Sequence, residues 1–532
     1  MRALFLLAVL AAPLAGQGAP VGPSTSGDSV QRAPGAHYRA GGLHRFILGA
    51  HYRDLWATPV SVEVLDLDSA EGGLTALGRT GGQQSKTLKL GAPDGRQFFF
   101  RSIDKDPTKA LPEELRGTVA GSVVQDQISS ANPLAPLVVS RLLAATTILH
   151  NEPRVYILPD NIRLGEARPE FAGLMGFLEE RIGGSGPAAH WHGAAEIIDS
   201  DTLLARVTRS VEDRVDARAF LLARLFDVYI GDWDRHRDQW RWARMDDAVP
   251  HRWLPVPLDR DQAFVRFDGV ALAIARQSLP KLVKFDNKYA DMAGQTWNGR
   301  DLDRRYLSEL ARPAWDSVGL ALQAVLTDSV IESAVRALPP EHFALSGATL
   351  ASRLKQRRNT LMHAVGRYYR MLSTQVDVHA TDAGDLAAVE RAPDGDVTLR
   401  LSTQGAAGGE YFQRRFVRGE THEVRLFLGG GNDTVAVRGA GGGITARILG
   451  DAGDDWLVDS TSGSGNHFYD SDSQAPRTTG HATGIDRRPY VLPPSKDEHA
   501  VPPRDWGHRW QPLTWASFGP DIGFFIGGGR SL

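Results

Sequence analysis

Two short segments of this chain place carboxylates where phosphate chemistry would need them. GDWDRHRDQW runs from Gly231 to Trp240, and PLDRDQAF runs from Pro257 to Phe264. Transfer of a phosphoryl group calls for one carboxylate to orient the attacking hydroxyl and others to hold a divalent metal on the phosphates. Asp234, Asp259 and Asp261 are the carboxylates these segments offer for that work.

The elements that must position them can be read locally. Residues 211–230 carry apolar side chains at helical spacing through Val215, Ala219, Leu222, Leu225 and Phe226, which predicts a buried helix leading into the first acidic loop. WRWARM (240–245) and WLPVPL (253–258) alternate apolar with polar or Pro residues around the turn-rich DDAVPHR, which predicts a hairpin. Antiparallel pairing about that turn brings Gln239 close to Asp259. The two acidic segments then converge without any long-range assumption.

Helix, D-x-x-x-x-N/Q loop, hairpin and a further Asp is the order found in the protein-kinase-like superfamily. The DRH spelling at Asp234–His236 resembles its atypical branches: the phosphatidylinositol kinases, the HipA-type kinases and the secretory-pathway casein kinases. LDRDQAF is similar to the LDxGxxF of the secretory kinases. The resemblance implies an α+β, two-lobed fold using ATP with Mg²⁺ or Mn²⁺. Asp234 would be the catalytic Asp, His236 a structural member of the catalytic loop, Gln239 a replacement for the usual Asn metal ligand and Asp259 the main metal carboxylate. Asp261 is the lesser metal candidate, because alternation turns it away from Asp259's immediate neighbour. The bland alternative makes these Asp and Arg residues a structural ion-pair network.

A nucleotide-binding lobe should precede this region, and Arg79–Pro107 has the right order of parts. Gly81 and Gly82 permit close backbone approach to phosphate, and Gln83, Gln84 and Ser85 offer donors. Residues 87–90 and 97–102 read as strands joined by the Asp94-Gly95 turn. FRSIDKDP is similar to the FKPxxEDP of type II phosphatidylinositol 4-kinases, which puts Arg101 where that family has its phosphate-pairing Lys. Arg keeps the charge but is not interchangeable with Lys; Lys86 and Lys105 are alternative cations. A helix over 117–129 would brace the cation through Gln125, Asp126 or Gln127. Residues 171–183 suit the strand and hinge beside the adenine, with Glu179 and Glu180 near the hinge.

Composition bounds the rest. The chain has 532 residues, a formal charge of −3 and no Cys, which leaves no support for general nucleic-acid binding and excludes disulfides, thiolate catalysis and Cys-ligated metals. Arg2, the apolar run Ala3–Leu14 and the small residues near Ala19 have the layout of a signal peptide. The expected organisation is a signal peptide over 1–19, a flexible linker over 20–39, an N-lobe over 40–185, a helical C-lobe over 186–375, a β-rich domain over 376–460, a linker over 461–505 and a barrel-like segment over 506–532.

LGGGNDTVAV (428–437) and LGDAGDDWLV (449–458) resemble the turns of calcium-binding β-rolls; a β-sandwich with look-alike turns is the alternative. Asp433, Asp451, Asp454 and Asp455 are the candidates for Ca²⁺. Asp377–His379, Gly450–Asp454 and Gly465–His467 reproduce fragments of a calcineurin-like metallophosphoesterase signature at the wrong spacings. Trp506–Gly529 looks like the first strand of a BamA/TamA-type outer-membrane barrel, so the chain looks truncated. These readings add up to an exported, periplasmic, outer-membrane-associated kinase-like phosphotransferase with an unknown hydroxyl acceptor. A non-catalytic pseudokinase-like module serving an outer-membrane barrel is the rival, and a metallophosphoesterase the remote alternative.

Overall fold

The computed structural model describes residues 28–81, 84–111, 113–184, 186–276, 279–289, 291–405, 409–470, 477–487, 511–519 and 523–531. The signal-peptide reading of 1–19 and Gly82 of the glycine pair lie outside them. The chain is a mixed α+β protein in which the described residues up to Ser373 form two lobes.

The N-lobe is a five-stranded antiparallel sheet in the order Thr75–Thr80, Ser85–Gly91, Gln97–Lys105, Met175–Glu180, Arg154–Ile157. Alternation sets its buried face: Leu88 lies opposite Phe100 and Leu90 opposite Phe98, all four buried. The ambiguous run 171–183 resolves as the strand Met175–Glu180. The helix expected over 117–129 is Val119–Asp126 followed by a 3₁₀ turn, Gln127–Ser130. The expected linker 20–39 is structured where it is described. Ser29–Arg32 pairs antiparallel with Val60–Glu63, which supplies partners for backbone groups that a flexible tail would leave to water.

In the C-lobe the helix leading to the acidic loop is Ala217–Ile230. It starts six residues later than its periodicity suggests. Asp216 caps it, its side chain accepting from the Ala219 N–H, and Asp213–Val215 is drawn instead into a parallel pairing with the hairpin. Gly231 ends the helix at φ 74°, and a Cβ there would meet Phe285 at 2.7 Å. The hairpin forms as expected, Trp240–Arg244 with His251–Pro257, Trp240 opposite Pro257. It sits in a four-stranded sheet ordered Glu196–Asp199, Trp240–Arg244, His251–Pro257, Asp213–Val215. Trp240, Trp242 and Trp253 are fully buried, and the first two pack against Phe220 of the helix. The periodic runs farther on form Arg312–Val325, Asp328–Val335, Ala348–Asn359 and Leu361–Ser373.

From Gln375 the chain winds between two sheets whose strands stack mostly in parallel, with one antiparallel extension of the second sheet, Asp385–Arg391 to Val397–Thr403 to Glu410–Phe416. One is ordered Gln375–His379, Glu423–Phe427, Thr445–Leu449, Ser464–Tyr469, Ala482–Asp486. In the other, Asp385–Arg391, Thr434–Gly439 and Trp456–Asp459 run parallel. This is a β-roll rather than the alternative sandwich. Its register builds one apolar ladder, Val378, Leu426, Ile448 and Phe468, through the interior. The domain boundary at 460 is therefore too early: Ser464–Tyr469 and Ala482–Asp486 continue the stack into the supposed linker, because each coil's backbone needs the next as its partner. At the C-terminus, Gln511–Gly519 and Gly523–Ser531 pair antiparallel, two strands where one was expected.

Candidate active site

The loop after helix Ala217–Ile230 separates two kinds of aspartate. Asp227 and Asp232 point inward and are 0–1 % exposed, as is Arg235. Arg224 donates to Asp227 at 2.8 Å and to Asp303 at 2.6 Å, Arg235 lies 3.5 Å from Asp227, and Arg260 contacts Asp227 directly. Burial alone would raise Asp227, but the Arg260, Arg235 and Arg224 guanidinium groups hold it below its ordinary range. Burial dominates at Asp232, pushing it up to about 6 against Arg235 and Arg260. The ion-pair network of the bland alternative thus exists, and Asp232, Arg235 and Arg260 of the two acidic segments belong to it.

Asp234 is turned the other way and is only partly buried. Its backbone N–H donates to Asp232 at 3.2 Å, and its carboxylate accepts from Asn298 Nδ2 at 2.7 Å. The following Arg235 donates to the carbonyls of Leu258 (2.6 Å), Asp259 (2.9 Å) and Gln239 (3.0 Å), with its guanidinium 4.8 Å from the centre of the Trp240 ring. One buried side chain therefore fastens the Asp234 loop to the backbone of Asp259. Leu258 N–H closes the hairpin on the Gln239 carbonyl at 2.8 Å, placing Gln239 beside Asp259 as its spacing implied. His236 lies 3.5 Å from Asp238 and 3.4 Å from the Gln239 amide.

Asp259 has φ 42°, a conformation non-glycine residues seldom adopt and one that concentrates at functional sites. It faces the N-lobe, where Arg101 comes within 3.4 Å of it and 3.8 Å of Glu179. Burial would raise the Asp259 carboxyl, yet Lys105, Arg101 and Arg235 outweigh it and keep the group anionic. Burial raises Glu179 in spite of Arg101.

One expectation is corrected here. The brace on Arg101 comes from the strand residue Glu179, because Asp126 is engaged by Arg53 at 2.6 Å and Gln125 donates to Tyr38 and to the Lys105 carbonyl. Asp261 contacts Lys105, which follows Arg101 on the same strand past a break in register. Gly81 follows the strand Thr75–Thr80, and Ser85 opens the strand Ser85–Gly91. Asp227, Asp232, Asn298 and the Lys105–Asp261 pair were missed. Asn298 is 64 residues from Asp234 in sequence and no local pattern joins them.

Between the lobes lies a cleft of about 420 Å³, lined by Phe99, Arg101, Glu179, Ile182, Arg241 and Asp259 among others. Among the described residues no three His, Asp or Glu side chains converge as a metal cage. A magnesium ion that travels with phosphates needs only one or two carboxylates from protein; the hairpin sets Gln239 beside Asp259, with the Asp259 carboxylate 3.4 Å from Arg101 and the Gln239 amide 3.4 Å from His236.

In the β-roll, Asp433 and Asp455 serve the backbone. Asp433 Oδ1 accepts from the Asp385 N–H at 2.7 Å, and Asp455 Oδ1 from the Asp433 N–H at 3.0 Å, a carboxylate ladder across successive coils. Asp451 and Asp454 are exposed. The phosphoesterase-like fragments are dispersed: Asp377 is bound by Arg425 at 2.6 Å, His379 stacks on Phe427 at 4.6 Å, and Asn466 donates to Asp459.

No family model matches the chain, and no curated protein is detectably related to it. Among solved structures, the chain is similar to the Helicobacter pylori proinflammatory kinase CtkA at 11 % identity and TM-score 0.30, covering 55 % of this chain and 94 % of that one. It is also similar to the Shewanella oneidensis MR-1 toxin–antitoxin complex of HipA, HipB and operator DNA at 11 % identity and TM-score 0.27, covering 51 % of this chain and 60 % of that one.

Proposed function

We propose that the cleft is the active site of a kinase-like phosphotransferase that moves the γ-phosphate of a nucleoside triphosphate such as ATP to a hydroxyl acceptor. One observation carries this reading. Arg235 locks the Asp234 loop to the backbone of Asp259, and Asp259 meets Arg101 of the opposite lobe across the cleft. Acceptor-orienting, metal-binding and phosphate-binding groups thus belong to one connected arrangement.

In this reading Asp234, oriented by Asn298, accepts a hydrogen bond from the acceptor hydroxyl and aligns its oxygen for attack. Arg101 and Lys105 bind phosphate oxygens with Gly81 and Ser85, and their move to the phosphates frees Asp259 and Asp261. A bound Mg²⁺ or Mn²⁺, held by Asp259 and Gln239, would neutralise charge on the phosphates. Arg260 and Arg235 keep the loop rigid from behind. The test is label transfer from γ-labelled triphosphate by the parent beside Asp234→Ala. Transfer by the parent alone supports the reading; equal transfer by both, or none, overturns it.

The second reading is a non-catalytic, pseudokinase-like module. It is favoured by the engagement of both cleft aspartates by protein cations, Asp259 by Arg101 and Asp261 by Lys105. Export to the periplasm and service to an outer-membrane barrel belong to the same proposal, supported by the leader-like residues 1–19 and the C-terminal strand pair. Calcium remains a proposal for the roll turns, where Asp451 and Asp454 are the exposed candidate carboxylates. Melting temperature with and without Ca²⁺ tests it.

A further inference from the structure

We infer that the cleft selects guanine over adenine, with Arg241 and Arg181 setting the choice; this rests on the reading of the cleft as a nucleoside-triphosphate site.

The walls of the cleft suit a flat ring. Phe99 of the N-lobe, Leu143, Ile182 and Ile198 line it together with Leu258. The polar groups at this end are unusual for adenine. Adenine offers a ring acceptor beside an amino donor, so it needs an acceptor and a donor side by side. The backbone groups at the end of strand Met175–Glu180 already have partners: the Glu180 carbonyl accepts from Asn151 Nδ2 at 2.6 Å, and the Arg181 N–H donates to the Gln97 carbonyl at 2.7 Å.

What lines the cleft here instead is a pair of guanidinium groups. Arg241 arises from the hairpin strand below, and its stem carries the chain above it: a Cβ on Gly183 would lie 3.6 Å from Arg241 Cδ. Arg181 occupies the space a side chain on Gly184 would fill, its Nη2 2.4 Å from that Cβ position. Both glycines have positive φ, 79° and 99°, which lets the backbone pass close to the two arginines. Arg241 donates to the Trp240 carbonyl at 2.8 Å and Arg181 to the Gln97 amide at 2.5 Å. Neither makes an ion pair with a carboxylate among the described residues, and each guanidinium has five donors. Burial, with Arg101 and Arg181 nearby, lowers Arg241 against the pull of Asp199 and Asp238.

Guanine matches this set. Its O6 and N7 are adjacent acceptors that a guanidinium meets in a bidentate way. Adenine would bring its amino donor against guanidinium donors and leave both unpaired.

The test is calorimetric titration of the full chain with GTP, ATP and tripolyphosphate, each with Mg²⁺, against the parent and Arg241→Met. The parent is expected to bind GTP about tenfold more tightly than ATP, the discrimination of one bidentate pair. Arg241→Met should bring the two nucleotides within about twofold while tripolyphosphate binding stays within about twofold of the parent. If Arg241→Met does not fold, Arg241→Lys, which keeps the charge but not the fork, should show the same loss of preference. ATP bound as tightly as GTP, or a preference that survives the substitution, overturns the inference and leaves the phosphotransferase reading standing. Failure of both nucleotides to bind overturns the two together.

Discussion

The cleft and the β-roll both bury aspartates, and they handle the charge in opposite ways. Asp227, among arginines, and Asp259, beside Lys105, Arg101 and Arg235, are held anionic by these cations despite burial. In the roll, Asp433 is 1 % exposed, forms no ion pair among the described residues and is pushed up to about 7, chiefly by burial with Asp455 and Asp385 adding; Asp455 is raised to about 6. A carboxylate with cations around it keeps its charge ready for a ligand. One stacked on other carboxylates makes stability depend on pH.

The sharpest way to break this contrast is to remove a cation from the C-lobe network. Arg235→Ala should cost about 3 kcal/mol, the low end of the range for breaking a buried pair, since Asp227 keeps Arg224 and Arg260 while the Leu258 and Asp259 carbonyls lose their donor. Denaturant unfolding measures it; a loss under 1 kcal/mol would mean the network does not hold the loop. Next in size, Arg101→Met should lower phosphoryl transfer by about a hundredfold, as loss of a charge-stabilising group does, and Lys105→Met by less. If the order is reversed, Lys105 is the phosphate-binding cation.

For the roll the sign runs the other way from a paired carboxylate. Because the folded pKa of Asp433 is above its unfolded value, its stability contribution is complete below about pH 4 and is lost as pH rises toward about 7. Calorimetry should show the roll melting lower at pH 8 than at pH 5. Asp433→Asn, which keeps an acceptor for the Asp385 N–H, should remove most of that dependence and stabilise the roll at pH 8 by on the order of 2 kcal/mol. A roll whose melting does not change between these pH values would mean the ladder is not titrating. The smallest effect is expected at Asn298→Ala, which frees Asp234 to rotate. It should lower kcat about tenfold with KM little changed, as loss of one orienting hydrogen bond does, and steady-state kinetics would show it.

What could be read in the sequence was what is local. The hairpin at 240–257 and the strands around Asp94-Gly95 follow from alternation and turn residues, and the pairing of Gln239 beside Asp259 follows from the hairpin itself. The helix start was misplaced because an apolar period does not distinguish a helix from the short strand at Asp213–Val215; the Asp216 cap was the missing signal. Glu179 braces Arg101 only because two neighbouring strands put Phe99 opposite Glu179, a register no single segment encodes. Asn298 and the Lys105–Asp261 pair join parts of the chain far apart in sequence. The roll was legible as repeating turns but not in extent, since its later coils lack the Gly-Asp spelling and are held by stacking.

That stacking begins on the C-lobe. Asp382 N–H donates to the Thr208 carbonyl at 2.7 Å, His422 N–H to the Thr374 carbonyl at 2.9 Å, and Arg214 to the Tyr411 carbonyl at 2.7 Å. The first coil carries a hairpin of its own, Asp385–Arg391 with Val397–Thr403, and these contacts seat it on the helical lobe; each later, parallel coil has only the coil before it as a template. Unfolding of the roll should accordingly start at Ala482–Asp486 and travel toward Gln375, with the cleft the last region to be disturbed.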